Sequence, residues 1–352
     1  MLRYAPLALV PAAAACGLLD LGPIWTFAAG GAAIAVLADW VRRGTEQLAC
    51  HLGPAIGSLL NVSFGSVAEL ILALFVLAAG HVEVVQAQIT GSIIGTALFG
   101  LGLAALVGGW SRQTQELGNP SARLLSTLLT LLVIALLLPA VFDLAQRPAG
   151  EDSLRVTEQE LSLGVAGVLL LLYAGNLVFT LVTHRSVFAG REPGEEPSWS
   201  LWTALGLMLG GTVAIAGLAE MVSGALEETG RQLGLSTVFL GVVPLALTGT
   251  AADIFAAVVF ARQDRMSLAF SICVGSAIQM ALVVAPLLAL LSFLIGAPMS
   301  LVFGSPLDLF AVAGTAFVVR SVAADASTNW FEGLLLVGIY AMLALAFFFL
   351  HG

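Results

Sequence analysis

Eleven apolar segments, most of them about twenty residues long or more, occupy nearly all of this chain. Of its 352 residues 59% are hydrophobic and only 10% are charged, whereas a soluble domain carries about a quarter charged residues. So little polar surface cannot cover an apolar core in water, which makes lipid the solvent. Continuous apolar runs favour helices over barrel strands, whose segments would alternate. The sequence therefore predicts an all-α polytopic membrane protein with spans at 6–19, 23–41, 55–79, 83–108, 121–141, 160–183, 199–223, 236–261, 266–295, 305–324 and 331–350.

Arginine gives these spans a direction. All 13 basic residues are Arg, and the absence of Lys beside heavy Ala, Leu and Gly usage points to a GC-rich bacterial genome. Ten arginines fall in loops on the side of the N-terminus, and three, Arg147, Arg155 and Arg231, fall on the opposite side. Because cytoplasmic loops are rich in Arg, we predict an inner-membrane protein with its N-terminus in the cytoplasm and its C-terminus outside. Residues 1–19 are predicted to be a short span, with a signal peptide as the alternative.

An internal repeat relates the two parts of the chain. The segment "GSVAELILA" at 65–73 aligns with "GTAADIFAA" at 249–257, and "GSIIGTAL" at 91–98 aligns with "GSAIQMAL" at 275–282, both at an offset of 184 residues. The paired segments lie five spans apart, so the related helices run in opposite directions. This pattern is typical of inverted repeats, in which substrate sites form where the two halves meet.

The repeat predicts the organisation of the chain. One extra N-terminal helix precedes two inverted five-helix repeats, and the predicted boundaries are 1–22 for the extra helix, 23–183 for the first repeat, 184–198 for a cytoplasmic linker and 199–352 for the second repeat.

Two acids stand alone in the middle of apolar spans. Asp253 is the only ionisable residue between Arg231 and Arg262, and Glu69 aligns with it in the first repeat. A charged acid at the bilayer centre costs about 2.5–3.5 kcal/mol on insertion scales, so such residues usually face a cavity and mark an ion path. The structural alternative is a protonated acid hydrogen-bonded to a neighbouring helix, which two acids related by inversion make less favoured.

Small and oxygen-bearing residues surround both acids. Glycine before each acid allows a helix to bend and expose backbone carbonyls. Hard cations such as Ca²⁺ take about 6–8 oxygen ligands, and no His or thiolate lies nearby for a softer metal. Each Ser or Thr has the alternative role of hydrogen-bonding between helices. The supporting residues predicted are Gly65, Ser66, Gly249, Thr250, Ser92, Thr96, Ser276, Gln279 and Gln86, with Gln88 at a similar depth.

A cation and protons would compete for these oxygens. Close carboxylates repel one another without a cation, and a low dielectric disfavours their charged forms, so an empty pair holds protons that a cation displaces. The two acids thus predict a cation/proton antiporter, with Glu69 and Asp253 as the cation- and proton-binding residues.

Several longer segments resemble the calcium/proton exchanger family of the cation/calcium antiporter superfamily. They are 25–73, 83–94, 234–253, 261–284 and 329–349, and the similarity extends from about residue 23 to 350. The resemblance implies eleven helices, of which one is extra and ten form two inverted halves. It also implies that the acid of each repeat motif binds the cation and alternates with protons, and that an acid is usual at Glu220. There Glu220 could line an outer vestibule, and a snorkelled or interfacial side chain is the equally favoured alternative.

The sequence departs from the family pattern at the site itself. The family motif is Gly-Asn-x-x-Glu in both halves, whereas here Ser66 and Thr250 replace Asn and Asp253 replace the second Glu. Gly95 and Thr96 stand where the fourth helix usually has Ser-Asn. Shorter and fewer oxygens predict a wider or wetter site, so the ion is Ca²⁺ with extra waters, or another cation such as Na⁺ or Mn²⁺.

Other functions and partners are less favoured. A channel or a non-transporting relative would not need two acids related by inversion, and no enzyme motif such as H-E-x-x-H occurs. The net charge of −9 without a basic cluster argues against nucleic acid. Three scattered cysteines suggest no metal site and no cofactor is expected. The expected partners are calcium ion, protons and lipid, and a homo-oligomer is compatible with the sequence. Asp308 is expected at the membrane interface.

Overall fold

The fold is a bundle of eleven helices. The structure is a computed structural model that describes residues 5–19, 21–52, 60, 64–110, 112–146, 151–179, 198–302 and 305–350. Within these residues the helices are α1 (Leu9–Leu18), α2 (Pro23–Leu52), α3 (Val67–Ala78), α4 (Val82–Gly109), α5 (Asn119–Gln146), α6 (Glu151–Val178), α7 (Leu201–Leu233), α8 (Thr237–Arg262), α9 (Met266–Ile295), α10 (Pro306–Ala324) and α11 (Trp330–Phe349). The all-α fold class is confirmed.

Nine of these helices, α2 and α4–α11, are long and apolar enough to cross a membrane within the described ranges. The other two predicted spans, 6–19 and 55–79, correspond to shorter apolar helices, Pro6–Gly17 and Val67–Ala78. Part of the third span and nearly all of the 184–198 linker lie outside the described residues.

Two helices extend beyond their predicted ends because charges pair along their surfaces. In α2, predicted to end near residue 41, Arg42 bonds Asp39 three residues earlier and Glu46 four residues later. In α7, predicted to end near 223, Glu228 pairs with Arg231, and Gly234 ends the helix with a φ of 65°. Such pairs at helical spacing allow a helix to continue into the polar region.

Glycines bring the helices close together. A side chain at Gly30 would collide with Val222, one at Gly211 with Val41, and one at Gly44 would lie 3.2 Å from the carbonyl oxygen of Ala204. The partners on α7 move backward along the chain as those on α2 move forward, so the two helices are antiparallel. Small residues at such contacts allow membrane helices to approach closely.

Three of the long helices carry a π-helical turn, which is frequent at functional sites. The turns are Gly95–Gly100 in α4, Gly241–Leu245 in α8 and Met280–Val284 in α9. Subtracting the repeat offset of 184 from 280 and 284 gives 96 and 100, so the turns of α4 and α9 occupy equivalent positions. This agreement supports the repeat predicted from the sequence.

A short ladder joins two loops at the end of the bundle where α4 and α10 finish. Gln115 pairs with Thr328, and Glu116 with Ser327, in two antiparallel strands, β1 (Gln115–Glu116) and β2 (Ser327–Thr328). Within the described residues this ladder is the only departure from the all-helical prediction. It holds the start of α5 beside the start of α11.

We expect Gly333→Ala to destabilise the protein. Its new methyl group would lie 2.7 Å from the carbonyl oxygen of Gly102 and against the backbone of Leu106, so α11 would have to move away from α4. Overpacking of this kind costs about 1–3 kcal/mol. Gly338→Ala, on the same helix with nothing within 4 Å, is the matched control. The thermal unfolding midpoint in detergent should fall for Gly333→Ala alone, and equal midpoints would contradict this packing.

Candidate ion-binding site

Glu69 and Asp253 lie on helices that cross at a glycine. A Cβ built on Gly249 would lie 2.7 Å from Cγ of Glu69 and 3.5 Å from its Cα. Asp253 is one helical turn after Gly249 and so shares its face of α8. The two carboxylates interact electrostatically. The predicted pair is therefore brought together.

The two acids differ in their surroundings. Glu69 is 2% exposed, and the Ser66 hydroxyl, which donates to Gln279, lies against its carboxyl, whose oxygens accept no hydrogen bond of good geometry from the described residues. Asp253 is half-buried, and the Ser276 hydroxyl of α9 lies against its carboxyl. A buried polar group without a partner is costly in a low-dielectric interior. The Glu69 carboxyl consequently needs a proton or a bound cation.

The chain is irregular directly before Glu69. Gly65 and Ser66 form a turn, and α3 begins at Val67, so Glu69 lies in the first turn of a helix. Interrupted helices whose ends lie at the ion site are a feature of transporters. The same opening was predicted at Gly249, and there the prediction is wrong: α8 is regular through Gly249, its π turn lies earlier at Gly241–Leu245, and Gly249 serves close approach instead.

Two amides reach α3 from different helices. The Ser66 hydroxyl donates to Oε1 of Gln279 on α9 at 3.1 Å, and the amide nitrogen of Gln88 on α4 lies 3.5 Å from the backbone oxygen of Glu69. Gln279 thus connects the two halves of the chain beside the acids, as expected of a supporting residue.

The hydroxyls near the acids are of two kinds. Thr96 and Thr250 donate to carbonyl oxygens one turn earlier in their own helices, at 2.8 Å to Ser92 and 2.9 Å to Ala246. Their protons are thereby committed, and their lone pairs remain available to accept. Ser92 is buried, and its hydroxyl has no partner among the described residues. All three can offer oxygen to a cation.

Gln86 is placed away from the acids, contrary to the prediction. Its amide nitrogen donates to the backbone oxygens of Ser300 at 2.9 Å and Val302 at 2.8 Å. These two bonds hold the loop between α9 and α10 against α4. Glu220 is exposed on α7, and no contact to either acid is found in the described part of the chain.

Charged residues of α2 were not predicted to belong near the site. Arg42 and Glu46 both interact electrostatically with Asp253. The predicted topology places Arg42 among the ten arginines of the cytoplasmic loops. The signal was the spacing of Asp39, Arg42, Arg43 and Glu46, which continues the helix and places opposite charges on one face.

Asp308, predicted at the membrane interface, lies in the first turn of α10 and is buried inside the bundle. It is 4% exposed and lies against the buried Thr90 hydroxyl of α4. The helix α10 begins at Pro306 after the Ser305 cap, whose hydroxyl accepts from the Leu307 nitrogen. This start buries the first turn against α4.

The donor set suits a hard cation. No group of three or more His, Cys, Asp or Glu side chains that could hold a metal ion occurs in the described ranges. The candidate ligands are two carboxylates with hydroxyl and amide oxygens, which Ca²⁺, Mg²⁺ and Mn²⁺ accept more readily than soft metals do.

The whole chain is similar to known membrane exchangers. It is 38% identical over 349 residues to the Ca(2+)/H(+) antiporter of Synechocystis sp., covering 94% of this chain and 92% of that protein. It is 36% identical over 323 residues to the Ca(2+)/H(+) antiporter ChaA of Bacillus subtilis, covering 90% of each. The solved structure of native YfkE superposes with a TM-score of 0.83 at 31% identity, covering 97% of this chain and 98% of that one.

A sequence profile described as sodium/calcium exchanger protein matches residues 22–182 and 203–349. The two matches together cover most of the chain, and each falls almost entirely within one of the predicted halves. This chain belongs to the sodium/calcium exchanger protein family.

Proposed function

We propose that this protein is a secondary antiporter that exchanges Ca²⁺ for H⁺ across a membrane by alternating access. The relatives of 36–38% identity are named Ca(2+)/H(+) antiporters, and the proposal assigns their activity to this chain. The observation that carries it is the buried, unpartnered carboxylate of Glu69 next to the helix of Asp253.

The chemistry of exchange follows from charge. Two ionised carboxylates match one divalent cation, and two protons neutralise the same pair after the cation leaves. Either loaded form removes the net charge from the interior, whereas the empty ionised pair is unfavourable in a low dielectric. The site therefore crosses between its two open states with one load or the other, which couples the two flows.

The supporting oxygens come from both halves of the chain. Ser66, Ser92 and Thr96 belong to the first half, and Thr250, Ser276 and Gln279 to the second. A site divided in this way can change its access when one half moves against the other.

A second candidate is exchange of another cation, such as Na⁺ or Mn²⁺, for protons. Thr96 and Thr250 replace amides in the family pattern and are tied to their own helices, and Gly95 leaves the space beside Thr250 without a side chain. Fewer fixed oxygens lower the advantage of a cation that demands six to eight ligands.

The proposed location is the inner membrane of a bacterium, with the N-terminus in the cytoplasm. Ten of the 13 arginines fall on that side in the predicted topology, which supports this orientation. In the same topology the site opens alternately to the cytoplasm and to the outside, so the proton and cation gradients across the membrane drive the exchange.

We expect Glu69→Gln and Asp253→Asn each to abolish exchange. Each amide removes a charge that the cation needs and a group that the proton needs. The measurement is cation-driven collapse of an imposed pH gradient in liposomes containing the purified protein. Glu83→Gln, an exposed acid at the start of α4, is the matched control and should retain activity. Exchange that persists in both site variants would refute the assignment.

The same liposomes test the ion. With Ca²⁺, Mn²⁺, Mg²⁺, Na⁺ and K⁺ added singly, we expect Ca²⁺ to collapse the gradient most effectively. The double substitution Thr250→Asn with Asp253→Glu restores the family motif of the second half and should increase the preference for Ca²⁺ over Na⁺. Collapse by Na⁺ or Mn²⁺ alone would favour the second candidate, and no response to any cation would favour a non-transporting relative.

We expect Gly249→Ala to weaken cation binding by about tenfold or more, because small misplacements of a liganding group have effects of this order. The added methyl would displace the Glu69 side chain from a contact of 2.7 Å. Gly275→Ala, which has nothing within 4 Å, is the control. Equilibrium binding of ⁴⁵Ca²⁺ to the purified variants measures the effect, and equal affinities would show that Gly249 does not position Glu69.

A further inference from the structure

A group of four charges lies on the second half of α2. Arg42 Nη2 is 2.9 Å from Oδ1 of Asp39, and Arg42 Nη1 bonds Glu46. Arg43 Nη2 is 2.6 Å from Oδ2 of Asp39. Asp39 and Glu46 therefore bind the guanidinium of Arg42 from the preceding and the following turn of the helix and fix its position.

This group is directed toward the ion site. The helix α2 packs against α8, where a Cβ on Gly31 would lie 3.0 Å from the Thr248 hydroxyl. Asp253 follows Thr248 by five residues, and Arg42 follows Gly31 by eleven. In the predicted topology the two helices are parallel, so at about 1.5 Å per residue the Arg42 backbone lies roughly 9 Å beyond Asp253.

The Arg42 side chain shortens this separation. Side chains on a helix tilt toward its N-terminus, which points Arg42 back toward the level of Asp253 and brings its charge within Coulombic range of that carboxyl. The Arg42 Nε is buried and has no hydrogen-bond partner among the described residues. Two acids thus hold its outer nitrogens, while an inner donor stays unsatisfied.

Arg43 provides the contrast. It shares Asp39 with Arg42, but its guanidinium lies over the Trp40 ring at 5.5 Å from the centroid, and its side chain is 26% exposed against 17% for Arg42. No interaction of Arg43 with Asp253 is found in the described part of the chain. Adjacent arginines of equal charge therefore face different surroundings.

We propose that Arg42 is a tethered competitor of the transported cation, held by Asp39 and Glu46 so that its positive charge weakens cation binding at Asp253. The inference rests on the proposed function. Two buried carboxylates alone would hold a divalent cation tightly, and transport requires a site that also releases its ion. A fixed positive charge beside the half-buried acid promotes that release without occupying a ligand position.

The test is equilibrium ⁴⁵Ca²⁺ binding to the full-length protein in detergent at constant ionic strength, because salt screens such interactions. We expect Arg42→Gln to bind Ca²⁺ about tenfold more tightly. This change in affinity lies between the values that Coulomb's law gives for the separation of Arg42 from Asp253 in a water-like and in a protein-like dielectric. Arg42→Lys keeps the charge and should bind nearly as the wild type does. Arg43→Gln makes the same change in net charge one residue away and should also resemble the wild type.

The Arg42→Gln variant could misfold because Glu46 loses its ion pair with Arg42. A second variant avoids this problem. Arg42→Gln with Glu46→Gln removes the pair together. It should still bind more tightly than the wild type, because the proposal assigns the effect on cation binding to the charge of Arg42. Proton exchange in liposomes should show the lower KM together with a lower turnover, since tighter binding slows release.

The outcomes separate the two proposals. If Arg42→Gln and Arg43→Gln bind Ca²⁺ equally, or if Arg42→Lys matches Arg42→Gln, the role of Arg42 is refuted while the antiporter proposal stands. If the wild type neither binds ⁴⁵Ca²⁺ nor responds to any of the five cations in the liposome assay, the proposed function fails and this inference fails with it.

Discussion

The Glu69 carboxylate is the constraint on which the rest of the site depends. It is buried where the backbone of Gly249 passes over it, and no described side chain hydrogen-bonds either oxygen. A lone charge costs several kcal/mol in such a place, and the neighbouring Ser66 hydroxyl, which donates to Gln279, does not neutralise it. The position is therefore stable only with a proton or a cation from solution. Selection for stability alone would replace such an acid, so its presence is an argument that this position binds and releases ions.

The packing around this acid explains the unusual glycine content of the crossing helices. Gly249 allows α8 to reach Glu69, Gly91 allows α4 to lie on the backbone of Val242, and Gly102 meets Gly333 between α4 and α11. The π turns of α4, α8 and α9 change the direction in which the following side chains of these helices point. Close approach thus brings α3, α4, α8 and α9 together beside Glu69, which a bundle with larger side chains would keep apart.

Much of the fold and the pairing of the two acids was predictable, because long apolar segments and an internal repeat are strong sequence signals. The apolar segments predicted the eleven helices of the described residues, and the offset of 184 residues predicted that Glu69 and Asp253 belong together. The failures have a common physical cause. The place of Gln86 depends on two carbonyls of a distant loop, and the burial of Asp308 depends on the packing of α10 on α4. The length of α2 depends on pairs of opposite charges, and a hydropathy pattern places the end of a helix where such charges begin. Each is decided by a partner that periodicity does not specify.

The two acids of the repeat are consequently not equivalent. Asp253 is shorter, half-buried and within the field of Arg42, whereas Glu69 is fully buried and no cationic side chain of the described residues interacts with it. Under the proposed function, Arg42 would offset part of the charge on Asp253 in the empty site, whereas Glu69 would depend on the transported ions. The predicted repeat pairs the two acids in the sequence, and the charges of α2, which precede the first acid along the chain, act on only the second of them.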